Sequence, residues 1–516
     1  MDTKIRPLSR REMLKVTGAV AAGTALAACA PSAGPAPAPA PTQAPAAAPT
    51  EAAAQPTAAP QQIQGKLIAF LGDWTPTESM EKSEDNPAPH NKVLEVIDGF
   101  KGNHPGVEFE YIRVPANIDG REWMVVQQTA GTVPHIMPAN QWLIKEDLRK
   151  NWWVNLSPYL QEPNPYVKAG EPGSKAWLDQ FYPNPTSMLV IEGDYYNICL
   201  GIVTTWFFYN VDLYKQLGLQ VPTNFKEFLA NCQVAKDAGL IGYDFQTQVV
   251  ADTDAWYRAQ LGGMIMARDI EPKVNPDRGW ATLDEVACAL KRGDYNASLP
   301  QFRDWMELWK QTVPYRRADW TVQVPDPNRL FLTKKTPILE QGSWVIPQLE
   351  VDAMMDFEWA TFWAPPLTKE TSSYVTDPPT QAQNVGTVSS NFAISTRAEK
   401  DGVLDLAVDF LRTVCVPENV EKVLAELGSE MPNVKNVPVA DRYKEAHKWV
   451  SESIGYVQMF AYEICTMDLE CAEACGKAWR AYLLDELSAE QSIDENNKAF
   501  TAYAERYMQQ YPDLKC

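Results

Sequence analysis

Flat aromatic rings beside short polar side chains suit a polyhydroxylated ring, which needs stacking for its apolar C–H faces and hydrogen bonds for its rim. The sequence offers such a pair at Asp73-Trp74, just after the first apolar run, and a second combination at Trp256, which follows Asp252 and Asp254. Each admits another reading: Trp74 as a packed ring under a surface loop, Trp256 as a helix-packing ring beside an acidic cap. Covalent chemistry finds less support. The chain has no G-x-S-x-G elbow, no H-E-x-x-H helix and no Gly-rich phosphate loop, and its scattered acids nominate no catalytic carboxylate pair. Four His leave little room for a multi-histidine metal centre.

Composition narrows the partners. The 516 residues are 45% hydrophobic and 22% charged, which is globular and large enough for two or three domains. Against 46 Lys and Arg stand 66 Asp and Glu, a net charge of -20, so nucleic acid and anionic lipid surfaces are excluded as main partners. A neutral or cationic ligand fits better. With 17 Trp, 20 Tyr and 17 Phe, rings for stacking are plentiful.

The first 29 residues read as an address. A basic start precedes a small and apolar run over 16–28, too short to span a membrane. Ser9-Arg10-Arg11-Glu12-Met13-Leu14-Lys15 resembles the twin-arginine export signal, with Met13 where Phe is usual. Leu26-Ala27-Ala28-Cys29 matches the bacterial lipoprotein box, in which Cys29 is lipidated and becomes the new N-terminus. Residues 30–64, almost all Ala, Pro, Thr and Gln, cannot bury enough apolar surface to fold and read as a tether. At ~3.1 Å per residue in polyproline II it reaches roughly 100 Å. Eight cysteines then remain: Cys199, Cys232, Cys288, Cys415, Cys465, Cys471, Cys475 and Cys516. Cys471 and Cys475 lie one helical turn apart, yet no His or second Cys pair stands at zinc spacing, so buried thiols or one or two disulfides are expected.

From Lys66 onward short apolar runs alternate with amphipathic segments, the pattern of an α/β protein. A strand over 67–71 leads into Gly72-Asp73-Trp74-Thr75, and loops at the carboxyl ends of strands are where open α/β sheets hold ligands. A helix follows over 92–101 with Val93, Leu94, Val96, Ile97 and Phe100 as its stripe, then a strand over 106–112. Residues 201–209 form a strongly apolar strand. Asn224 caps a helix with Glu227 three residues on and Gly239 as its stop. Near the end, Ser492-Ile493-Asp494-Glu495 has capping-box spacing and opens a helix whose buried side is Phe500, Tyr503, Tyr507 and Met508.

In this order the pieces resemble the extracellular solute-binding proteins of bacterial ABC importers, the family 1 or maltose-binding-like group. The resemblance is carried by Phe100-Lys101-Gly102-Asn103-His104-Pro105-Gly106-Val107, by Trp206-Phe207-Phe208-Tyr209-Asn210-Val211-Asp212-Leu213 and by Pro222 to Phe228, with Phe225 where the family has Trp. Further on it is carried by Gln341-Gly342-Ser343-Trp344, Trp363-Ala364-Pro365-Pro366 and Asn391-Phe392-Ala393-Ile394-Ser395 with the helix after it over 403–413.

The resemblance implies an α/β, two-lobed periplasmic-binding-protein-like (type II) fold, hinged, with a ligand cleft between the lobes. Crossing strands are expected near 201–206 and 359–366. One lobe would comprise 65–200 plus 367–425, the other 201–366 plus 426–516 with the hinge strands. It implies that Trp344 stacks on the ligand with Ser343 beside it, that Asn140 and Trp142 lie on a ligand-contacting loop, and that Ser389 brings a small polar group to the cleft. With Asp73, Trp74 and Trp256 these are the candidate binding residues. Trp206 and Trp363, flanking the crossings, read better as buried between lobes. Adjacent tyrosines such as Tyr195-Tyr196 bind ferric iron in a related group, but here they precede the crossing strand and no ligand cluster accompanies them, so neither metal nor cofactor is expected.

The function so implied is capture of a solute, above all a sugar or oligosaccharide, by a monomeric lipoprotein held on the outer side of the cytoplasmic membrane, for delivery to ABC permease subunits. A non-transporting carbohydrate sensor or scaffold is the alternative, and a secreted carbohydrate-active hydrolase the weaker one.

Overall fold

The computed structural model describes residues 65–115, 118–139, 143–245, 256–274, 281–322, 326–378, 385–452 and 468–516. The leader, Cys29 and the tether lie outside the described residues, as do Asn140, Trp142, Asp252, Asp254 and Cys465.

Two sheets organise the chain. Their strands are β1 (Gly65–Phe70), β2 (Val107–Ile112), β3 (Ile136–Met137), β4 (Asn197–Cys199), β5 (Gly201–Asn210), β6 (Asp244–Phe245), β7 (Ile338–Gly342), β8 (Trp359–Phe362), β9 (Val385–Val388), β10 (Asn391–Ile394) and β11 (Met431–Pro432). The first sheet runs β2-β1-β3-β10-β4 and the second β8-β5-β7-β6, with β9 and β11 added beside β5. In the first, β1 is parallel to β2 in the register Gly65↔Val107 and to β3 at Ala69↔Ile136, while β10 runs antiparallel to both its neighbours.

The ten residues of β5 join two environments. Its first half pairs with β9 and β11 at Ile202, Val203 and Thr204, and its second half with β7 and β8 from Thr205 to Asn210. Only an apolar strand could run this course, since all but two of its residues are buried.

The helices form where local rules place them. In α1 (Val93–Asn103) the buried stripe is Val93, Val96, Ile97 and Phe100, and the Phe100 ring meets Phe410 edge-on at 5.2 Å. Asn224 accepts a hydrogen bond from the Glu227 amide at 3.0 Å and so caps α2 (Phe225–Asp237). The Glu227 carboxylate turns back to the Thr223 amide at 2.7 Å, and Gly239 beyond the end takes φ +79°. The last helix, α3 (Ala489–Gln510), starts one turn before the expected capping box. Ser488 and Gln491 make the reciprocal bonds, and Ser492 sits inside the helix, its buried hydroxyl donating to the Ala478 carbonyl at 3.0 Å on the helix Leu469–Leu483. Two sequences of capping spacing stand four residues apart, and contact with the neighbouring helix consumes the second.

Three apolar cores result. One gathers Leu67, Phe100, Trp177, Leu200, Phe410 and Val434 around the first sheet. Another gathers Phe207, Phe225, Tyr257, Trp305, Trp309 and Phe500 around the second. The third lies between them and takes Met137, Trp206, Phe208, Leu339, Val388 and Met431 from both. The architecture is thus α/β and two-lobed. Cys288 and Cys516 form a disulfide, and Cys199, Cys232, Cys415, Cys471 and Cys475 are buried thiols. Among the described residues no helix is long and apolar enough to cross a membrane.

Candidate functional site

β7 ends in a tight turn that determines what Trp344 can do. Ser343 is fully buried, and its hydroxyl accepts from the Thr204 amide at 3.4 Å, which ties the turn to the middle of β5. Trp344 is thrown outward and is 38% exposed, the only exposed aromatic ring among the described residues. It lies over the backbone of Gly342, where an added Cβ would stand 2.1 Å from the indole. Trp256, half-buried, opens the helix Trp256–Met266 and meets Trp344 edge-on at 5.1 Å and 66°.

This corner is held from below. Glu340 on β7 accepts from the Tyr257 amide at 2.5 Å, and Gln260 one turn later donates to the Thr205 hydroxyl on β5 at 3.4 Å. Both contacts fix the first turn of the helix, and with it Trp256, against two strands. The sequence nominates Trp256, Ser343 and Trp344, of which Ser343 is buried and serves the turn rather than a ligand; it does not nominate Glu340 or Thr205, which stand inside apolar strands without a distinguishing local pattern. Gly342→Ala is expected to push the Trp344 ring off its seat while leaving stability within about 1 kcal/mol, because the displaced ring has solvent beside it. Near-ultraviolet circular dichroism should change while the urea midpoint does not.

Trp74 takes the other of its two readings. It is 1% exposed, its Nε1 donates to the Ser390 hydroxyl at 2.7 Å, and its ring meets Phe392 at 5.7 Å. No face is left for a ligand, so its place is the first core. Asp73 beside it is an exposed residue, yet desolvation by the surrounding protein raises its carboxyl above the ordinary range, with His90 pulling the other way.

Ser389 is half-buried, and its hydroxyl donates to Glu430 Oε1 at 2.9 Å; Ser390 donates to Oε2 at 2.7 Å. Glu430 is 5% exposed and lies against Gly201, where a Cβ would stand 1.8 Å from Oε2. Burial, with Asp73 adding repulsion, pushes its carboxyl up to about 7. A chain Trp74–Ser390–Glu430–Ser389 therefore runs under the start of β5. Ser389 is thereby spoken for at its hydroxyl, and Glu430 was not foreseen.

The remaining rings pack. Trp206 is 4% exposed, 5.7 Å from Trp363 and stacked on Tyr443 at 6.1 Å. Tyr195 and Tyr196 are half-buried, and among the described residues no three His, Cys, Asp or Glu side chains gather as a metal site.

Two lobes built from discontinuous chain and joined by paired crossing strands define the class: the two-lobed, type II fold of substrate-binding proteins. Residues 87–312 match the family of bacterial extracellular solute-binding proteins. The apo-form of RafE from Streptococcus pneumoniae superposes with a TM-score of 0.57 at 16% identity, covering 87% of this chain and 100% of its own. A family 1 extracellular solute-binding protein from Bifidobacterium longum subsp. infantis gives 0.58 at 14%, covering 85% and 99%. The cyclic alpha-maltosyl-1,6-maltose binding protein from Arthrobacter globiformis gives 0.57 at 15%, covering 86% and 100%. At these identities the likeness is one of fold. No curated protein matches in sequence.

Proposed function

We propose that this chain is an extracytoplasmic substrate-binding lipoprotein that captures a sugar or oligosaccharide between its lobes and delivers it to an ABC importer. The observation that carries the reading is the Trp344–Trp256 corner, an exposed indole braced by a second ring at the turn where β7 meets the crossing strand. Exposing a large ring costs the folded protein apolar burial, which a stacked sugar face would restore. A neighbour of the same fold is known in complex with raffinose, which agrees with this class of ligand.

In this reading the lobes are 65–200 with 367–425 and 201–366 with 426–516, with the boundaries moved so that Leu367 and Val375 go with the second core and Leu427 and Val434 with the first. Ligand touches both and shifts the population toward the closed form, which the permeases recognise. No bond of the ligand is broken. The strongly acidic surface favours a neutral or cationic solute. The twin-arginine leader would export the folded chain, Cys29 would anchor it, and the tether would let it reach its permeases.

The test is the melting temperature of the protein against neutral mono- and oligosaccharides and polyols, with each compound recovered for mass analysis. A sugar at 100 times its dissociation constant adds about 2.7 kcal/mol of stability. Trp344→Ala should weaken binding of that sugar by about 2 kcal/mol, roughly thirtyfold, without lowering the melting temperature of the free protein. A chemically altered sugar would make the protein an enzyme, and unchanged affinity in the variant would remove Trp344 from the site.

A further inference from the structure

A group that can only donate fixes the direction of the hydrogen bonds that follow it. The Trp74 indole is such a group, and its Nε1 donates to the Ser390 hydroxyl at 2.7 Å. Ser390 is buried, so its own hydrogen takes the acceptor beside it, Glu430 Oε2 at 2.7 Å. Oε2 is thereby occupied as an acceptor, and a proton on Glu430 is left to Oε1. The partner of Oε1 is the Ser389 hydroxyl at 2.9 Å. With Glu430 ionised, Ser389 donates inward. With Oε1 protonated, Ser389 accepts and its own hydrogen turns away from the carboxyl.

Trp74, Ser390 and Glu430 are buried, whereas Ser389 is half-buried. It stands at the edge of the first sheet where β1 and β3 reach their carboxyl ends. Trp74 in the loop after β1 bonds Ser390, and the Ala139 amide just past β3 donates to Asn391 Oδ1 at 3.0 Å. Open α/β sheets hold ligands at that edge, and the exposed Asp73 lies on it. The backbone here is pinned, since the amides of Ser389 and Ser390 both donate to the Gly201 carbonyl at 3.1 Å. What can turn is the Ser389 hydroxyl.

We propose that Glu430 is a positioning residue for solute, its proton setting the polarity of Ser389, which offers the cleft a hydrogen when Glu430 is protonated and lone pairs when it is ionised. This rests on the solute reading for the place of the cleft at this edge. Burial, and next the charge of Asp73, hold the Glu430 proton up to about 7. Among the described residues the other titratable groups facing it are Cys199 on β4 and Tyr443 in the turn Asp441–Tyr443, and burial keeps both protonated through this range. Asp73 is therefore the neighbour whose charge counts. At higher pH Asp73 and Ser389 both present acceptors, which suits a solute that offers hydroxyl or ammonium hydrogens. At lower pH Ser389 also serves a group that can only accept, such as a ring or glycosidic oxygen.

The first arm of the test uses the full chain without solute. The infrared difference between the natural protein and Glu430→Gln should show the carbonyl band of a protonated carboxyl at about pH 5.5 and none at about pH 9, on either side of the folded value. Ser389→Ala should shift that band, because the acid hydrogen loses its acceptor, and Ser389→Thr should restore it. A band missing at the lower pH, or unmoved in Ser389→Ala, overturns the proposal. The second arm titrates each sugar that raises the melting temperature, and its monodeoxyfluoro analogues, at both pH values. Fluorine cannot donate, so the analogue whose fluorine faces Ser389 should bind the natural protein about tenfold more weakly at the higher pH, and Glu430→Gln equally at both. Analogues that all bind alike at the two pH values overturn the positioning role. Should no sugar bind, the solute reading fails and the positioning role with it, while the infrared arm still decides whether the proton reverses Ser389.

Discussion

Glu430→Gln is expected to abolish a fall in stability that the natural protein shows as pH rises from about 4.5 to about 7. The carboxyl sits under β5, 5% exposed, and its proton is held up to about 7 against an ordinary value of 4.5, first by burial and then by the charge of Asp73. A raised folded-state value means that the folded protein keeps the proton after the unfolded chain has released it. The stabilising contribution is therefore fully present below pH 4.5 and is lost as pH climbs to the folded value. Each tenfold gain in proton affinity on folding corresponds to about 1.4 kcal/mol, so the loss across this window is about 3 kcal/mol. A neutral amide escapes it. Ser390 must keep donating to the retained oxygen, because it also accepts from Trp74. The half-buried Ser389 is free to turn its hydroxyl and accept from the new amide. The urea midpoints of the two proteins should therefore coincide near pH 4, part between about pH 4.5 and 7, and stay apart above that in favour of the variant. Parallel profiles would show that Glu430 ionises in the fold without penalty.

What could be read in advance follows from the range of the interaction. The α1 stripe, the Asn224 cap and the apolar run of β5 depend on neighbours a few residues away, and each appears where the pattern puts it. The start of α3 is a failure within local rules: two capping sequences compete, and the Ala478 carbonyl on another helix decides between them. Trp74 and Trp344 have similar surroundings in sequence, a polar residue before them in a loop after a strand. One is sealed by Ser390, 316 residues away, and the other is left out by the fully buried Ser343 next to it. Glu430 gives no local sign at all, since its burial comes from the pairing of β11 with the start of β5. The ion pair of Arg149 with Asp284, Nη2 to Oδ1 at 2.7 Å, spans 135 residues and shares that invisibility. The scaffold is thus legible from short-range pattern, while the groups that tune it are set by contacts between distant segments.

The largest expected loss of stability comes from opening the Cys288–Cys516 bridge, which closes a sequence separation of 228 residues. For so long a loop the restriction of the unfolded chain is worth about 5 kcal/mol, at the upper end of what native bridges contribute. Two features keep the folded protein from escaping that loss. The segment after α3 is short and carries few other anchors: Tyr511 against Tyr507 at 4.8 Å and under Arg149, with Leu514 partly buried on the second core. The bridge also fastens it to the helix Leu283–Arg292, so its opening frees the tail from that helix as well as lifting the restriction on the unfolded chain. The five other described thiols are buried and already reduced, so a mild reductant acts on this bridge alone among the described cysteines. Cys288→Ser, and the natural protein after reduction, should both lose urea stability by nearly that amount, about 5 kcal/mol, and should match one another. A reduced protein whose new thiols can be counted but whose midpoint has not moved would place the stabilisation in the packing of residues 511–516 rather than in the bond.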